Sequence, residues 1–166
     1  MEEILDVVDD HDQVIGQMER TALRAQGGHN FRVINALIVN SLGQIWIPRR
    51  TADKAYAPNA LDLSVGGHVM AGETYDECFA RETLEETGLD VSTLPHRILG
   101  YLTPPKDGVN AFMYVYEILA DDVPNFNPSD FSEFFWLTPQ AILDRLAQGD
   151  IGKGDLPIII KHFYHL

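Results

Sequence analysis

Glu85 and Glu86 follow Glu82 by three and four residues. On a helix this spacing gathers the three carboxylates on one face, where like charges cost roughly 0.2–0.5 kcal/mol per pair. Three on one stripe call for a cation. Oxygen-only ligands favour a hard ion, so Mg²⁺ is expected first, with Mn²⁺ as its substitute. An ion held there would neutralise an anionic substrate and acidify a bound water.

The element that must carry these groups is a helix over 74–87. Thr74 with Glu77 fits a capping box at its start. Gly88 followed by Leu89 suits a left-handed stop with its hydrophobic follower. At about 100° per residue, Tyr75, Cys78 and Phe79 fall on the side of Glu82 and Glu86. The apolar first half must face the core, so the carboxylates continue along the inward face, where an isolated charge needs pairing or metal. Leu84 lies on the other side. Arg81 stands four residues from both Glu77 and Glu85, within pairing reach. Cys78, on the inward stripe, reads as packing and not as a nucleophile.

Around that helix, the apolar-alternating segments 4–8 and 13–18 flank a polar turn and predict a hairpin, followed by a helix over 19–26 that stops at Gly27-Gly28. A second hairpin joins 31–39 to 44–48, with Pro48 at the edge or exit of its strand. Residues 51–60 read as a loop, and 61–65 as a short strand running into Gly66-Gly67. Strands follow at 98–102, 111–119 and 134–137, with helices at 139–147 and 156–164, although Ile158-Ile159-Ile160 would also suit a strand. Mixed hairpins with interspersed helices imply an α/β sandwich and not a doubly wound parallel sheet.

The chain has 166 residues, 45% hydrophobic and 22% charged, which suits one domain over 1–166 and excludes a disordered chain or a coiled coil. Its single cysteine forbids an intrachain disulfide and suits a reducing cytosol. Twelve Lys and Arg against 25 Asp and Glu leave a formal charge of −13. That field repels phosphodiester backbones and anionic lipid, so neither a nucleic-acid polymer nor a membrane is an expected partner. The acidic start lacks the features of a signal peptide, and a cytoplasmic location is expected.

The stretch 67–89 resembles the Nudix box, G-x5-E-x7-R-E-U-x-E-E-x-G-U, with U a bulky aliphatic. Gly67, Glu73, Arg81, Glu82, Glu85, Glu86, Gly88 and Leu89 match, and Thr83 in the first U position is the one departure. The resemblance implies an α/β/α sandwich with a mixed sheet, here preceded by an N-terminal hairpin and helix over 1–29. It implies metal-dependent attack of water on a phosphoanhydride. Glu82, Glu85 and Glu86 would ligate Mg²⁺, with the Gly67 carbonyl as a further ligand. Glu73 and Arg81 would fix the loop and orient the glutamates. One of the glutamates would serve as base, or an acid outside the box would, for which Asp130, Glu133 and Glu117 are the candidates.

Phosphate contacts beyond the metal need cations. Arg49, Arg50 and Lys54 form the one tight basic cluster, and Arg32 and His68 are further candidates. Phe112, Tyr114, Tyr116 and Phe135 are candidates for stacking on a base, although strand alternation sends half of them to the core. The expected substrate is a small nucleoside di- or triphosphate derivative, with nucleotide sugars next. Members of the family are often dimers, and no interface is legible here.

The layout also resembles the branch that includes isopentenyl diphosphate isomerase, which protonates and deprotonates an allylic carbon. That isomerase carries a cysteine immediately before the Gly-His of the loop, where this chain has Gly66, and its box is degenerate. Non-catalytic modules of the family lose box glutamates, and none is missing here. Hydrolysis is therefore the leading expectation.

Overall fold

The computed structural model describes residues 1–166. The first hairpin forms as its alternation requires, with β1 (Ile4–Val8) and β2 (Val14–Glu19) antiparallel. The short helix α1 (Arg20–Ala25) follows. β1 buries Leu5 and Val8, whereas β2 is largely exposed.

The main sheet contains β3 (Arg32–Val39), β4 (Ile45–Arg50), β5 (Val65–His68), β6 (His96–Leu102), β7 (Phe112–Leu119) and β8 (Phe131–Leu137). Its order is β6-β7-β3-β4-β8, with β5 also paired to β3. β3 and β7 run parallel and the other pairs antiparallel, so the sheet is mixed. Four further helices complete the chain: α2 (Tyr75–Thr87), α3 (Pro104–Asp107), α4 (Pro139–Ala147) and α5 (Asp155–Tyr164).

Period-two alternation divides β3 between two cores. Ile34, Ala36 and Ile38 face Cys78 and Phe79 of α2, with Trp46 and Tyr116. Leu37 and Val39 face Ile142 of α4 and Ile159 and Ile160 of α5. Helices thus cover both sheet faces, giving the α/β/α layering. A third, smaller core of Leu5, Leu23, Phe31 and Ala111 fastens the N-terminal hairpin and α1 to the start of the central strands.

Several boundaries differ from the sequence reading, among them those of β6 and β8, which begin at His96 and Phe131 instead of 98 and 134. β4 does not end at Pro48 but runs to Arg50, with Pro48 opposite Phe134 of β8. The Pro48 carbonyl points away from β8 and accepts from Asp62 N at 2.9 Å, so the donor proline lacks is missing on that side and breaks no β4–β8 bond. The strand expected at 61–65 begins instead at Val65, and the glycines that read as its exit lie inside it, paired with Asn35 and Ile34. The N-terminal helix is also shorter than 19–26. No helix is long and apolar enough to cross a membrane.

Candidate active site

The helix carrying the glutamates begins and ends as its sequence dictates. Thr74 Oγ1 accepts from Glu77 N at 3.1 Å, and Glu77 Oε2 accepts from Thr74 N at 2.9 Å. Gly88 closes it at φ 70°, a conformation that disfavours a side chain. Cys78, Phe79, Glu82, Thr83 and Thr87 are buried, while Leu84 is 54% exposed. Cys78 lies against the sheet, its thiol raised by burial, with Sγ donating to His68 O.

Arg81 organises the loop before the helix. Its Nε and Nη2 grip Glu73 Oε1 and Oε2 at 2.7 and 2.9 Å, a bidentate ion pair, while Nη2 also donates to His68 O at 3.1 Å. Nη1 reaches Glu82 Oε1 at 2.7 Å and Glu85 Oε2 at 3.4 Å. The alternative pairing with Glu77 does not form, because the capping box occupies that carboxylate. Burial opposes ionisation of Glu73, yet the bonds from Arg81 and Met70 N hold its carboxyl below the ordinary value.

The three glutamates differ in depth. Glu82 is buried, with its carboxyl raised mainly by burial. Glu85 sits on the rim, its side chain 59% exposed. Glu86 points inward, accepts from Gly66 N at 3.3 Å and has no cation bonded to it. Burial, then the nearby charges of Glu82 and Asp62, push its carboxyl up to about 8. Glu82 lies against Gly67 so closely that a β-carbon there would fall 2.2 Å from Glu82 Cδ. The carboxylate oxygens do not converge into a ready three-ligand cluster, since Arg81 engages two of them. Their chemistry nevertheless suits a hard divalent ion: oxygen donors on one wall, including a buried carboxylate without a cation.

All three line a cleft of about 530 Å³, a size that takes a small ligand. Arg50, Lys54 and His68 line it too, with the Gly67 backbone between His68 and the helix. Arg50 donates to Asp62 Oδ2 at 2.9 Å, and Lys54 pairs with Asp130. His68 stacks on Phe31 with ring centroids 5.5 Å apart. Burial, then Arg20, Arg24 and Lys153, pull its imidazole down to about 3, so it is neutral at physiological pH.

Other expected residues stand elsewhere, and the reason is ion pairing in an acidic chain. Arg49 points to the opposite side of β4 from Arg50, where Asp150 and Glu133 hold it over Phe135. Arg32 is bonded to Asp12 at 2.6 Å. Neither lines the cleft, and Glu133 is outside it with Arg49. Glu117 is likewise remote, accepting from Arg97 at 2.9 Å and Tyr164 at 3.2 Å. Asp130 lines a smaller adjoining pocket of about 120 Å³, shared with Glu86, Asp62 and Lys153. Phe112 and Tyr116 are core, Tyr114 packs between Tyr75 and Tyr101, and Phe135 sits under Arg49 and Arg145, so none of the four aromatic candidates faces the cleft.

The cleft holds residues that spacing did not reveal. Arg20 and Arg24 reach it from α1, Tyr56 from the 51–60 loop, and Lys153 from the turn before α5. A basic pair four residues apart in so acidic a chain was a usable signal for the first two. Lys153, flanked by Gly152 and Gly154, carried none.

A family model described as NUDIX domain matches residues 29–156. An uncharacterized Nudix hydrolase of Nostoc sp. is 50% identical over 162 residues, which is 98% of this chain and 96% of the relative. A Nudix hydrolase of Deinococcus radiodurans is 46% identical over 165 residues, 98% of this chain and 95% of that one. The crystal structure of a Deinococcus radiodurans protein superposes with a TM-score of 0.93 at 46% identity, covering 98% and 99% of the two chains. The fold also resembles that of a MutT protein from Methanosarcina mazei, with a TM-score of 0.62 at 20% identity over 81% and 93%. With the box in place on its capped helix beside a mixed sheet, and with this match over most of its length, the chain belongs to the Nudix family of hydrolases.

Proposed function

We propose that the chain is a Mg²⁺-dependent pyrophosphohydrolase acting on a small nucleoside di- or triphosphate derivative. The observation that carries this reading is one cleft in which the carboxylates of Glu82, Glu85 and Glu86 face the cations of Arg50, Lys54 and Lys153. Carboxylates alone would repel a phosphoanhydride, and cations alone would bind it without hydrolysing it.

In this reading Glu82, Glu85 and Glu86, with the Gly67 carbonyl, hold the metal. Arg81, fixed by Glu73, keeps Glu82 and Glu85 oriented toward it. A divalent ion bound there neutralises phosphate oxygens and lowers the pKa of a water. Arg50, Lys54 and Lys153 meet the phosphate chain, and neutral His68 offers a ring nitrogen without adding charge. Water adds at phosphorus, the bridging P–O bond breaks toward the leaving phosphate, and the proton passes to a carboxylate. Glu86 and Asp130, both in the adjoining pocket, are the candidates for that base.

The isomerase alternative is disfavoured by Gly66 in place of the cysteine that reaction uses, and by the burial of Cys78, the one thiol in the chain. The test is a substrate panel with Mg²⁺ or Mn²⁺ in labelled water, scoring phosphate, pyrophosphate and nucleoside monophosphate. Label is expected in one phosphate product, and Glu86→Gln is expected to lower turnover by orders of magnitude with the fold intact. Near-normal turnover in that variant, or conversion of isopentenyl diphosphate to its allylic isomer, would overturn the reading.

A further inference from the structure

Seven of the eight arginines are ion-paired with a carboxylate. Arg24 is the exception. In a chain with twice as many acids as bases, a guanidinium left without a counter-charge stands out, and it lines the cleft. Its Nη2 donates to His68 Nε2 at 3.2 Å, a neutral acceptor, and its Cζ stands 5.3 Å from the centre of the Tyr56 ring. Those contacts position the group without neutralising it.

The placement relative to the glutamates is specific. His68 is held from both ends, its carbonyl by Arg81 and its ring by Arg24. Gly67, next in sequence, touches Glu82. The Arg24 guanidinium is therefore separated from the carboxylate wall by His68 and Gly67, on the side built by α1. Its helix lies outside the segment 29–156 that the family model covers. Arg20, one turn earlier, is already paired with Glu3 at 2.8 Å.

An exposed guanidinium without a carboxylate partner, lining a ligand-sized cleft, is completed by an anion from solution. We propose that Arg24 is a substrate-binding residue, receiving a phosphate of the substrate beside the one held at the glutamates, so that the N-terminal extension forms a specificity wall of the active site. This rests on the phosphohydrolase reading above. It adds to that reading a residue from outside the shared domain, and a preference for ligands whose second phosphate is free to accept two N–H bonds from a planar fork.

The test uses imidodiphosphate, a diphosphate with a non-hydrolysable bridge, titrated calorimetrically into the Mg²⁺-loaded full chain. R24Q is expected to weaken its binding by about ten- to a hundredfold, and R24K to recover part of that loss. K106Q, which removes an exposed cation outside the cleft, is expected to stay near the wild type. The affinity of all variants for Mg²⁺ alone is expected to be unchanged. In the unaltered protein, the Arg24 Nε–Hε resonance is expected to shift on adding imidodiphosphate, a readout independent of how the variants fold. R24Q binding as tightly as the wild type, or an unmoved Arg24 resonance while the probe binds, overturns the role of Arg24 and leaves the hydrolase reading standing. A wild type that binds no imidodiphosphate with Mg²⁺ overturns both.

Discussion

Gly67→Ala tests the joint between β5 and the glutamate helix. The added methyl would lie 2.2, 2.3 and 2.4 Å from Glu82 Cδ, Cγ and Oε1. Carbon pairs settle near 3.5–4.0 Å, so a displacement of more than 1 Å is unavoidable. The strand cannot easily retreat, because Gly67 is tied to the central strand β3 opposite Ile34. Glu82 must therefore swing away, losing its 2.7 Å bond to Arg81 and its place on the cleft wall. Overpacking of this kind costs about 1–3 kcal/mol, and at roughly 2–4 °C per kcal/mol the melting temperature should fall by roughly 2–12 °C. Disturbing a ligand or its support typically lowers metal affinity by about 10–100-fold. Calorimetric titration with Mg²⁺ or Mn²⁺, alongside thermal melts, measures both. Gly66→Ala is the milder comparison, since its methyl would meet Asn35 Oδ1 at 3.0 Å and otherwise Ile34 O and Lys153 Nζ in ordinary contact at 3.9 Å. A Gly67→Ala protein that binds metal as the wild type does would refute the placement of Glu82 among the ligands.

Thr83 is wholly buried and its Oγ1 has no hydrogen-bond partner, so Thr83→Val should raise stability by about 1 kcal/mol, seen as a melting temperature about 2–4 °C higher with activity unchanged. Metal binding should depend on pH through Glu86: below about 8 its carboxyl must lose a proton to ligate, so affinity should climb about tenfold per pH unit and level off above 8, with about one proton released per ion at neutral pH in buffers of differing ionisation enthalpy. The stability sign follows from the same shift. The unfolded chain ionises this carboxyl first, so without metal the folded state weakens as pH rises from the ordinary carboxylate range toward 8, and thermal melts across pH 5–9 will show a rise instead if Glu86 is already ionised.

The helix that carries the three glutamates was legible because everything that makes it is local. A capping box, a left-handed glycine and an inward stripe are written within fifteen residues, and the structure repeats them. The sheet was legible in its hairpins and less so at 61–68, where Gly66 and Gly67 look like a turn but serve as a strand that must pass under Glu82. The basic side of the cleft was read least well. Arg49 and Arg50 are adjacent, yet a pleated strand turns neighbours to opposite sides, and abundant carboxylates claim whichever arginine they can reach. Arg20, Arg24 and Lys153 arrive from distant segments, and only tertiary packing brings them together.

Leu5 and Leu23 close over Phe31 and Ala111, while Ile159 and Ile160 plug the opposite core, and all but the middle two lie beyond the segment shared across the family. Trimming the chain to that common stretch would strip the cover from one core and hollow out another. The N-terminal hairpin, with the helix α1 that carries Arg20 and Arg24, is thus a structural keystone as well as a wall. Mutational drift in it will be filtered twice, once by what the pocket admits and once by whether the molecule holds together.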